Sequence, residues 1–215
     1  MMSSQQSLPS VTWVVGVGPS KGLGAALARR FARGGSTAVI TGRNEARLQS
    51  VAAEIRDSGF NAGNMVRGAA LEVTPEQFES TWRGSAYAGF LFVRASLPLL
   101  LDSGGGSLLL TGATASVRGG GPFIAFASAK AALRSIAQSA AREYGPRGVH
   151  VAHVVIDGAI DGERLRTVAP DHVAQAGENG LLDPDAIADT YWHLHQQPRS
   201  AWTHEVDLRP FKERF

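Results

Sequence analysis

The chain has 215 residues, of which 44% are apolar and 19% are charged, and its net charge is +2. This composition is typical of a globular protein with a single core, and charge scattered along the chain gives no reason to expect a nucleic-acid partner. The absence of cysteine excludes disulfides, thiolate metal sites and cysteine nucleophiles, and it is typical of a cytoplasmic protein.

The first ten residues, "MMSSQQSLPS", are polar and contain no apolar core segment. We therefore expect residues 1–10 to be a disordered tail rather than a signal peptide, and residues 11–215 to form one domain. The most apolar stretch, "LPLLLDSGGGSLLL", is interrupted by Asp102 and three glycines, so we expect no membrane span.

Apolar, β-branched runs alternate with amphipathic segments along the rest of the chain. Strands are predicted at 11–17, 36–42, 106–114, 148–157 and 202–208. Helices are predicted at 23–35, 44–59, 75–104, 123–145 and 184–197, and residues 158–183 are predicted to be a polar loop. This alternation predicts a single doubly wound α/β domain of the Rossmann type, with a parallel sheet and a ligand crevice at the carboxyl ends of its strands.

The segment "GVGPSKGLG" (residues 16–24) joins the first predicted strand to the first predicted helix. Glycines permit a tight turn and the close approach of a pyrophosphate, which the unpaired N–H groups of a helix N-terminus bind. The residues predicted to bind a dinucleotide here are Gly18, Ser20, Lys21, Gly22, Leu23 and Gly24. The alternative is a turn with a purely structural role.

The end of the second predicted strand bears on the choice between NAD and NADP. An acidic residue there would bind the ribose 2′-hydroxyl of NAD, but the stretch reads "ITGRN" and carries Arg43. Together with Lys21, Arg43 suits the 2′-phosphate of NADP. We therefore expect NADP, with NAD less favoured; the alternative is that both cations are ordinary surface residues.

These features resemble the short-chain dehydrogenase/reductase family, and the resemblance covers nearly the whole chain. Two of its motifs are matched: Gly-x-x-x-Gly-x-Gly by Gly18, Gly22 and Gly24, and Asn-Ala-Gly by Asn61, Ala62 and Gly63. The family's fifth strand and the lysine-bearing helix after it are matched by "SLLLTGATAS" and Lys130. The resemblance implies hydride transfer between a nicotinamide and an alcohol or carbonyl, in a homodimer or homotetramer assembled through the two long helices.

Three of the four residues that the family uses for catalysis are replaced. The tyrosine position is Phe126, the serine position thirteen residues earlier is Ala113, and the asparagine position on the long helix is Ala86. Only Lys130 is kept, which in the family lowers the pKa of the tyrosine and holds the nicotinamide ribose. The resemblance therefore implies cofactor binding more firmly than the usual proton transfer.

Other side chains could donate the missing proton. The candidates are Thr111, Thr114 and Ser116 around the serine position, Tyr87 next to Ala86, and Lys130 itself if burial lowers its pKa. Each residue type is more often structural than catalytic at such a position, and Thr114 is the strongest candidate among them. The six histidines show no metal-ligand spacing, so we expect no metal site.

The segment after the strand at 148–157 departs from the family as well. Asp157 and Gly158 stand where the family has Pro-Gly, and Asp161 stands where a threonine is usual. The resemblance implies that Gly158 and Ile160 lie close to the nicotinamide.

The chain is also short near residue 60. The family has a strand, a helix and a further strand before Asn-Ala-Gly, a unit of roughly 30 residues, whereas here "RDSGF" leads directly into Asn61. Three explanations are open: the unit is deleted, the sequence omits a segment, or residues 60–74 supply a replacement strand.

The function expected from these residues is that of an NADP-dependent oxidoreductase with an atypical site, acting on a small apolar carbonyl or enone. An apolar site without a phenol would suit reduction of a C=C bond, in which carbon takes the proton. The alternatives are a catalytically silent dinucleotide-binding protein, acting as a sensor or assembly subunit, and a structural protein without a cofactor.

Overall fold

The computed structural model describes residues 11–15, 19–41 and 65–213. The expectations for the tail at 1–10 and the helix at 44–59 lie outside these residues. The described strands are β1 (Val11–Val15), β2 (Thr37–Thr41), β3 (Gly106–Thr111), β4 (Val149–Ile156) and β5 (Glu205–Leu208). The described helices are α1 (Leu23–Arg33), α2 (Pro75–Trp82), α3 (Ala88–Asp102), α4 (Ile124–Tyr144), α5 (Glu163–Val168), α6 (Pro170–Ala176) and α7 (Pro184–Gln196).

All pairings between these strands are parallel, which confirms the predicted α/β fold of the Rossmann type. Strand β1 pairs with β2, and a second sheet has the order β3-β4-β5. All residues of β4 are buried, since β4 has a strand on each side and helices on both faces. This burial explains why the sequence of β4 reads as one nearly continuous apolar run.

The predicted loop at 158–183 contains two short helices, α5 and α6, so its assignment as irregular structure was wrong. Helix α6 begins with Pro170, which is favoured in the first turn of a helix. Helix α7 then begins after Asp183, whose carboxylate accepts hydrogen bonds from the backbone N–H groups of Asp185 and Ala186. Short helices of this kind carry too few apolar positions to give a clear period in the sequence.

The described strands bear on the strand-helix-strand unit that the chain lacks near residue 60. None of the described strands pairs with both β1 and β3, so these strands belong to separate sheets in the described part of the chain. Between residues 65 and 74 the structure has a single isolated bridge, from Gly68 to Phe123. A replacement strand in that stretch is therefore excluded, whereas residues 60–64 lie outside the described residues.

The sheet strands and helices enclose two clusters of buried apolar side chains. One lies under α1 and α7 and includes Leu27, Phe31 and Ile187. The other lies under α3 and α4 and includes Leu97 and Leu133. The described helices thus cover both faces of the parallel strands.

Helices α2 and α3 form one continuous helical segment, Pro75–Asp102, joined by a π-helical turn at Arg83–Tyr87. It begins with a capping box, in which the side chains of Thr74 and Gln77 bind each other's backbone N–H groups. By length and composition alone the segment could cross a membrane, and only 22% of its most apolar window is buried. Core helices of soluble proteins meet the same criterion, but such helices are mostly buried. The apolar window of this segment is mostly exposed.

Candidate active site

The carboxyl ends of β3, β4 and β5 lie at one edge, because the three strands are parallel. They end at Thr111, Ile156 and Leu208. Open α/β sheets bind their ligands at this edge. The side chains that follow these three strands, together with the N-terminal half of α4, therefore form the candidate site.

Lys130 is buried at this edge, with 6% of its surface exposed. Its Nζ donates a hydrogen bond to the backbone oxygen of Thr111 at 3.0 Å and lies 5.8 Å from the ring centroid of Phe126. The two side chains share one face of α4, as their spacing of four predicts. Burial lowers the pKa of Lys130 to about 8, because the ammonium ion loses solvation inside the protein.

The two alanines expected at catalytic positions also lie against α4. Ala113 precedes the 3₁₀ turn Thr114–Ser116, and the Oγ of Ser116 accepts a hydrogen bond from the backbone N–H of Ala113 at 3.1 Å. Ala86 lies buried in the π-helical turn, next to the buried hydroxyl of Ser85. The 3₁₀ turn after Ala113 and the π-helical turn that contains Ala86 both pack against α4, the helix that carries Phe126.

The chain has three tyrosines, and neither of the two nearest to the site supplies a phenol there. Tyr191 is buried, shares a hydrogen bond of 2.7 Å with Oγ1 of Thr111, and has its pKa raised by burial. Tyr87 is 41% exposed and stacks between Trp82 and Phe90 on the outer face of the helical segment 75–102. Tyr87, considered above as a substitute donor, is therefore directed to the surface.

Thr114 takes part in a polar network that joins the ends of all three strands. Its Oγ1 donates a hydrogen bond to Oδ1 of Asp157 at 2.5 Å. The second oxygen of Asp157, Oδ2, lies 2.9 Å from Nη2 of Arg209. The sequence pointed to Thr114 but not to Arg209. The only signal for Arg209 was its place directly after the strand predicted at 202–208, as Asp157 ends the strand predicted at 148–157.

The glycine turn leads into α1 as predicted. The backbone N–H of Gly22 donates to the oxygen of Pro19 at 2.8 Å, and Gly22 caps α1 without any side-chain hydrogen bond. The first turn of α1, which contains Leu23 and Gly24, has no acidic residue. Its backbone N–H groups are therefore suited to an anion.

The other described residues of the predicted cofactor site lie near this turn. The side chain of Lys21 is exposed, and the backbone oxygen of Ser20 accepts a hydrogen bond from Arg29 at 2.8 Å. Gly158 has a φ of +147°, and a Cβ there would lie 2.7 Å from the ring of Pro210, so a side chain would not fit. Ile160 forms a bridge with Leu182 and is half-buried.

The segment after β4 reaches the glycine turn. A Cβ on Gly162 would lie 3.4 Å from the backbone oxygen of Lys21. The structure therefore brings two distant parts of the predicted cofactor site together. The remaining predicted cofactor residues, Gly18, Arg43, Asn61, Ala62 and Gly63, lie outside the described residues.

A second polar network lies beneath α4. Glu205 accepts two hydrogen bonds of 2.6 Å from Arg134 and one of 2.9 Å from the fully buried ring of His153. The Arg134 guanidinium, followed by the His153 contact, lowers the pKa of Glu205 to about 2, while burial lowers the pKa of His153. Among the described residues, no group of three or more potential ligands is arranged to hold a metal ion.

Replacing Glu205 by glutamine is expected to change the acid stability of the protein. The pKa of Glu205 is lower in the folded protein, about 2, than its ordinary value of 4.5. Glu205 therefore adds stability above about pH 4.5, and this contribution is lost as the pH falls towards 2. We expect Glu205→Gln to lower the free energy of unfolding at pH 7 by about 2 to 3 kcal/mol, with the difference shrinking below pH 4.

Urea unfolding of both proteins at several pH values measures this difference. Glu178→Gln is the matched control, because Glu178 is exposed. A loss of stability in Glu205→Gln that stays constant from pH 7 to 3 would contradict the expectation.

Gly112 is expected to tolerate no side chain. A Cβ at this position would lie 2.3 Å from Nε2 of His153 and 2.9 Å from Oγ of Ser116. The histidine ring is fully buried and held by Glu205, so it has no room to move. We expect Gly112→Ala to destabilise the fold by about 1 to 3 kcal/mol, whereas Gly119→Ala, with open space around it, should change little in the same urea experiment.

Comparison with known proteins supplies the family. The family model described as enoyl-(acyl carrier protein) reductase matches residues 58–205. A crystal structure of a short-chain dehydrogenase from Rhodopseudomonas palustris is 34% identical, has a TM-score of 0.77, and is matched over 94% of this chain and 99% of its own.

Two curated relatives are less similar. The 2,5-dichloro-2,5-cyclohexadiene-1,4-diol dehydrogenase LinX of Sphingobium indicum is 29% identical over 210 residues, 80% of this chain and 84% of that protein. A cyclic-di-GMP-binding biofilm dispersal mediator protein of Escherichia coli is 28% identical over 173 residues, 67% of this chain and 71% of that protein.

The lengths of these alignments bear on the strand-helix-strand unit that the chain lacks near residue 60. The alignment with LinX runs over 210 positions but includes 80% of a chain of 215 residues, so LinX has residues within it that this chain lacks. The R. palustris structure, by contrast, is matched almost completely. The family model, the fold and the order of the motifs agree, and we conclude that this chain belongs to the short-chain dehydrogenase/reductase family.

Proposed function

We propose that this protein is an NADP-dependent oxidoreductase that acts on a small apolar carbonyl or enone. The observation that carries the proposal is the buried Lys130 at the carboxyl end of β3. Burying an ammonium ion costs free energy, and Lys130 belongs to neither of the two apolar clusters. Its place at the ligand edge of the sheet is explained if Nζ binds the hydroxyls of a nicotinamide ribose.

The residues along this edge fit a dinucleotide. The N-terminus of α1 lacks a side-chain cap and an acid in its first turn, as a pyrophosphate requires. Lys21, with Arg43, would hold the 2′-phosphate of NADP, and Asn61, Ala62 and Gly63 would complete the cofactor site. Gly158 and Ile160 would lie beside the nicotinamide, which supplies or accepts a hydride when it is bound.

The substrate proposal rests on the apolar side chains around Lys130. Phe126 and Phe123 are half-buried at the start of α4, and Ala113 adds no polar group. Such a lining excludes water and favours an apolar substrate. The relative LinX is named for a cyclic diol and the family model for an enoyl reductase; both names support a reactive ring or enone as substrate class.

Calorimetric titration with NADPH and NADH tests cofactor binding. We expect NADPH to bind more tightly, and Lys21→Glu to reduce this preference by placing a negative charge beside the 2′-phosphate. Equal affinity for both would contradict the choice of NADP, and binding of neither would contradict the proposal itself. Lys212→Glu, at an exposed lysine, is the matched control.

NADPH consumption with benzaldehyde, 2,3-hexanedione and 2-cyclohexen-1-one tests turnover. We expect oxidation of NADPH with one or more of these compounds, and its loss in Lys130→Ala. Binding of NADPH without turnover would favour the second candidate function.

That second candidate is a catalytically silent dinucleotide-binding protein, acting as a sensor or as a subunit of an assembly. Two features favour it: Phe126 and Ala113 lack the hydroxyls that the family uses, and one relative is named for binding cyclic-di-GMP. If it is correct, NADPH should bind and shift the thermal unfolding temperature, while none of the carbonyl compounds is reduced.

We further propose that the protein forms a homodimer or homotetramer through α3 and α4. A groove of about 480 Å³ runs between these helices and is lined by apolar side chains such as Phe90, Leu97 and Ile136. Phe90 is 45% and Leu99 61% exposed, which a second copy would cover. We also propose a soluble, cytoplasmic protein without a membrane or nucleic-acid partner, which the likeness to the R. palustris dehydrogenase supports.

Analytical ultracentrifugation of Phe90→Glu tests the assembly. We expect the wild type to sediment as an oligomer and Phe90→Glu as a monomer, since a charge in the covered groove would be buried. Leu71→Glu, on a fully exposed side chain outside the groove, is the control. A monomeric wild type that floats with phospholipid vesicles would contradict both the oligomer and the soluble state.

A further inference from the structure

The network of Thr114, Asp157 and Arg209 lies where the reaction would take place. Each residue follows a different strand at the carboxyl edge, and Thr114 belongs to the same turn as Ala113, the serine position. This turn packs against α4, which bears Phe126 and Lys130. The network is therefore close to the missing hydroxyls in both sequence and space.

Thr114 differs from the other hydroxyls beside Ala113. Thr111 is buried and its Oγ1 is paired with Tyr191, and Ser116 is buried and accepts a hydrogen bond from the backbone of Ala113. Thr114 is half-buried and is the one of these three hydroxyls that donates to a carboxylate. Its oxygen still has lone pairs that can accept a hydrogen bond from a ligand.

Asp157 is suited to exchange a proton through Thr114. Its carboxylate is buried, and Arg209 occupies Oδ2, which leaves Oδ1 to Thr114. Another charged group on this side is Glu213, whose carboxylate lies 3.6 Å from the position that a Cβ on Gly158 would take. A buried carboxylate with one hydroxyl donor resembles the hydroxyl–base pairs that enzymes use to move protons.

We propose that Thr114 and Asp157 form the proton-transfer pair of this protein, with Thr114 contacting the reacting oxygen of the substrate. This inference rests on the proposed function as an oxidoreductase. Thr114 is then a catalytic residue, Asp157 its proton acceptor and donor, and Arg209 a positioning residue.

Protons and electrons balance both in oxidation of an alcohol and in reduction of a carbonyl. In oxidation, the O–H bond of the substrate alcohol breaks and its proton goes to Oγ1 of Thr114, while the proton of Thr114 goes to Oδ1 of Asp157. The electron pair of the C–H bond leaves as hydride to an oxidised nicotinamide dinucleotide, the co-reactant of the proposed function. In reduction, the carbonyl oxygen takes the proton of Thr114, Asp157 returns one to Thr114, and solvent protonates Asp157 again.

The test compares Thr114→Val, Thr114→Ser and Asp157→Asn with the wild type, using the fastest substrate among the three carbonyl compounds named above. We expect Thr114→Val and Asp157→Asn to lower kcat by about 10²-fold or more, and Thr114→Ser to keep most of the activity. Thr190→Val, on the surface of α7, is the matched control.

Two measurements without turnover accompany the kinetics. Calorimetry should show unchanged NADPH affinity in all variants, and ¹³C NMR with carboxyl-labelled aspartate should show a carboxylate signal that is absent in Asp157→Asn and displaced in Thr114→Val, because Thr114 donates to this carboxylate. A wild type that turns over, with Thr114→Val or Asp157→Asn equally active, would overturn the inference and leave the proposed function intact. A wild type that binds NADPH and reduces none of the three compounds would overturn both.

Discussion

Replacing the buried lysine by methionine is expected to stabilise the fold while it weakens cofactor binding. The pKa of Lys130 is about 8 in the folded protein against an ordinary value of 10.5, so folding disfavours its charged form. Below pH 8 the lowered pKa of Lys130 reduces the free energy of unfolding, and this reduction becomes smaller as the pH rises from 8 to 10.5. We expect Lys130→Met to raise the free energy of unfolding at pH 7 by about 1 to 3 kcal/mol, with little gain left at pH 10.5.

Urea unfolding at pH 7 and pH 10.5 measures the stability, and calorimetry with NADPH measures the affinity. We expect the dissociation constant for NADPH to rise by about tenfold or more, because hydrogen bonds from a charged donor are lost. Lys212→Met is the control, since Lys212 is exposed. A variant that is less stable than the wild type at pH 7 would show that the ammonium ion is fully satisfied by the protein alone.

The second large effect concerns Phe126, which the resemblance places at the tyrosine position of the family. Phe126→Tyr is expected to restore much of the activity that Thr114→Val loses, a gain of about 10²-fold, because a phenol beside Lys130 can donate the proton instead. In the wild-type background the same substitution should raise kcat by less than about tenfold, since Thr114 already supplies the donor. The measurement is kcat for the two single variants and the double variant.

The opposite pattern would be equally informative. A large gain from Phe126→Tyr in the wild-type background would mean that the native site has no proton donor, and the pair of Thr114 and Asp157 would then be structural. Phe123→Tyr is the control, because it adds a phenol at the end of the same helix but away from the spacing of four that places residue 126 beside Lys130.

The sequence predicted most of the described fold because the fold depends on local patterns. Each described strand and each long helix lies within two or three residues of its predicted bounds, as expected for element ends. The apolar run of β4 identified a strand buried on both faces. Helices α5 and α6 were missed because they are short and mostly exposed, so burial leaves no period in their sequence.

The candidate site was predictable only in part. The pair of Phe126 and Lys130 follows from helical spacing, and the turn into α1 follows from its glycines. The partner of Thr114 lies 43 residues along the chain and the partner of His153 lies 52 residues along. No local pattern joins residues so far apart, because their contact depends on how parallel strands place their ends side by side.

By itself the sequence predicted the family and the parallel α/β class, since motif order and spacing are properties of the chain alone. It also predicted that Phe126, Ala113 and Ala86 stand at three catalytic positions of the family. Only the tertiary structure decided that Lys130 is buried, that the tyrosines nearest the site, Tyr191 and Tyr87, supply no phenol there, and that Thr114 meets Asp157. Burial and hydrogen bonding depend on which residues the fold brings together. The alignment of three strand ends therefore brings together Thr114, Asp157 and Arg209, whose contacts no local pattern in the sequence predicts.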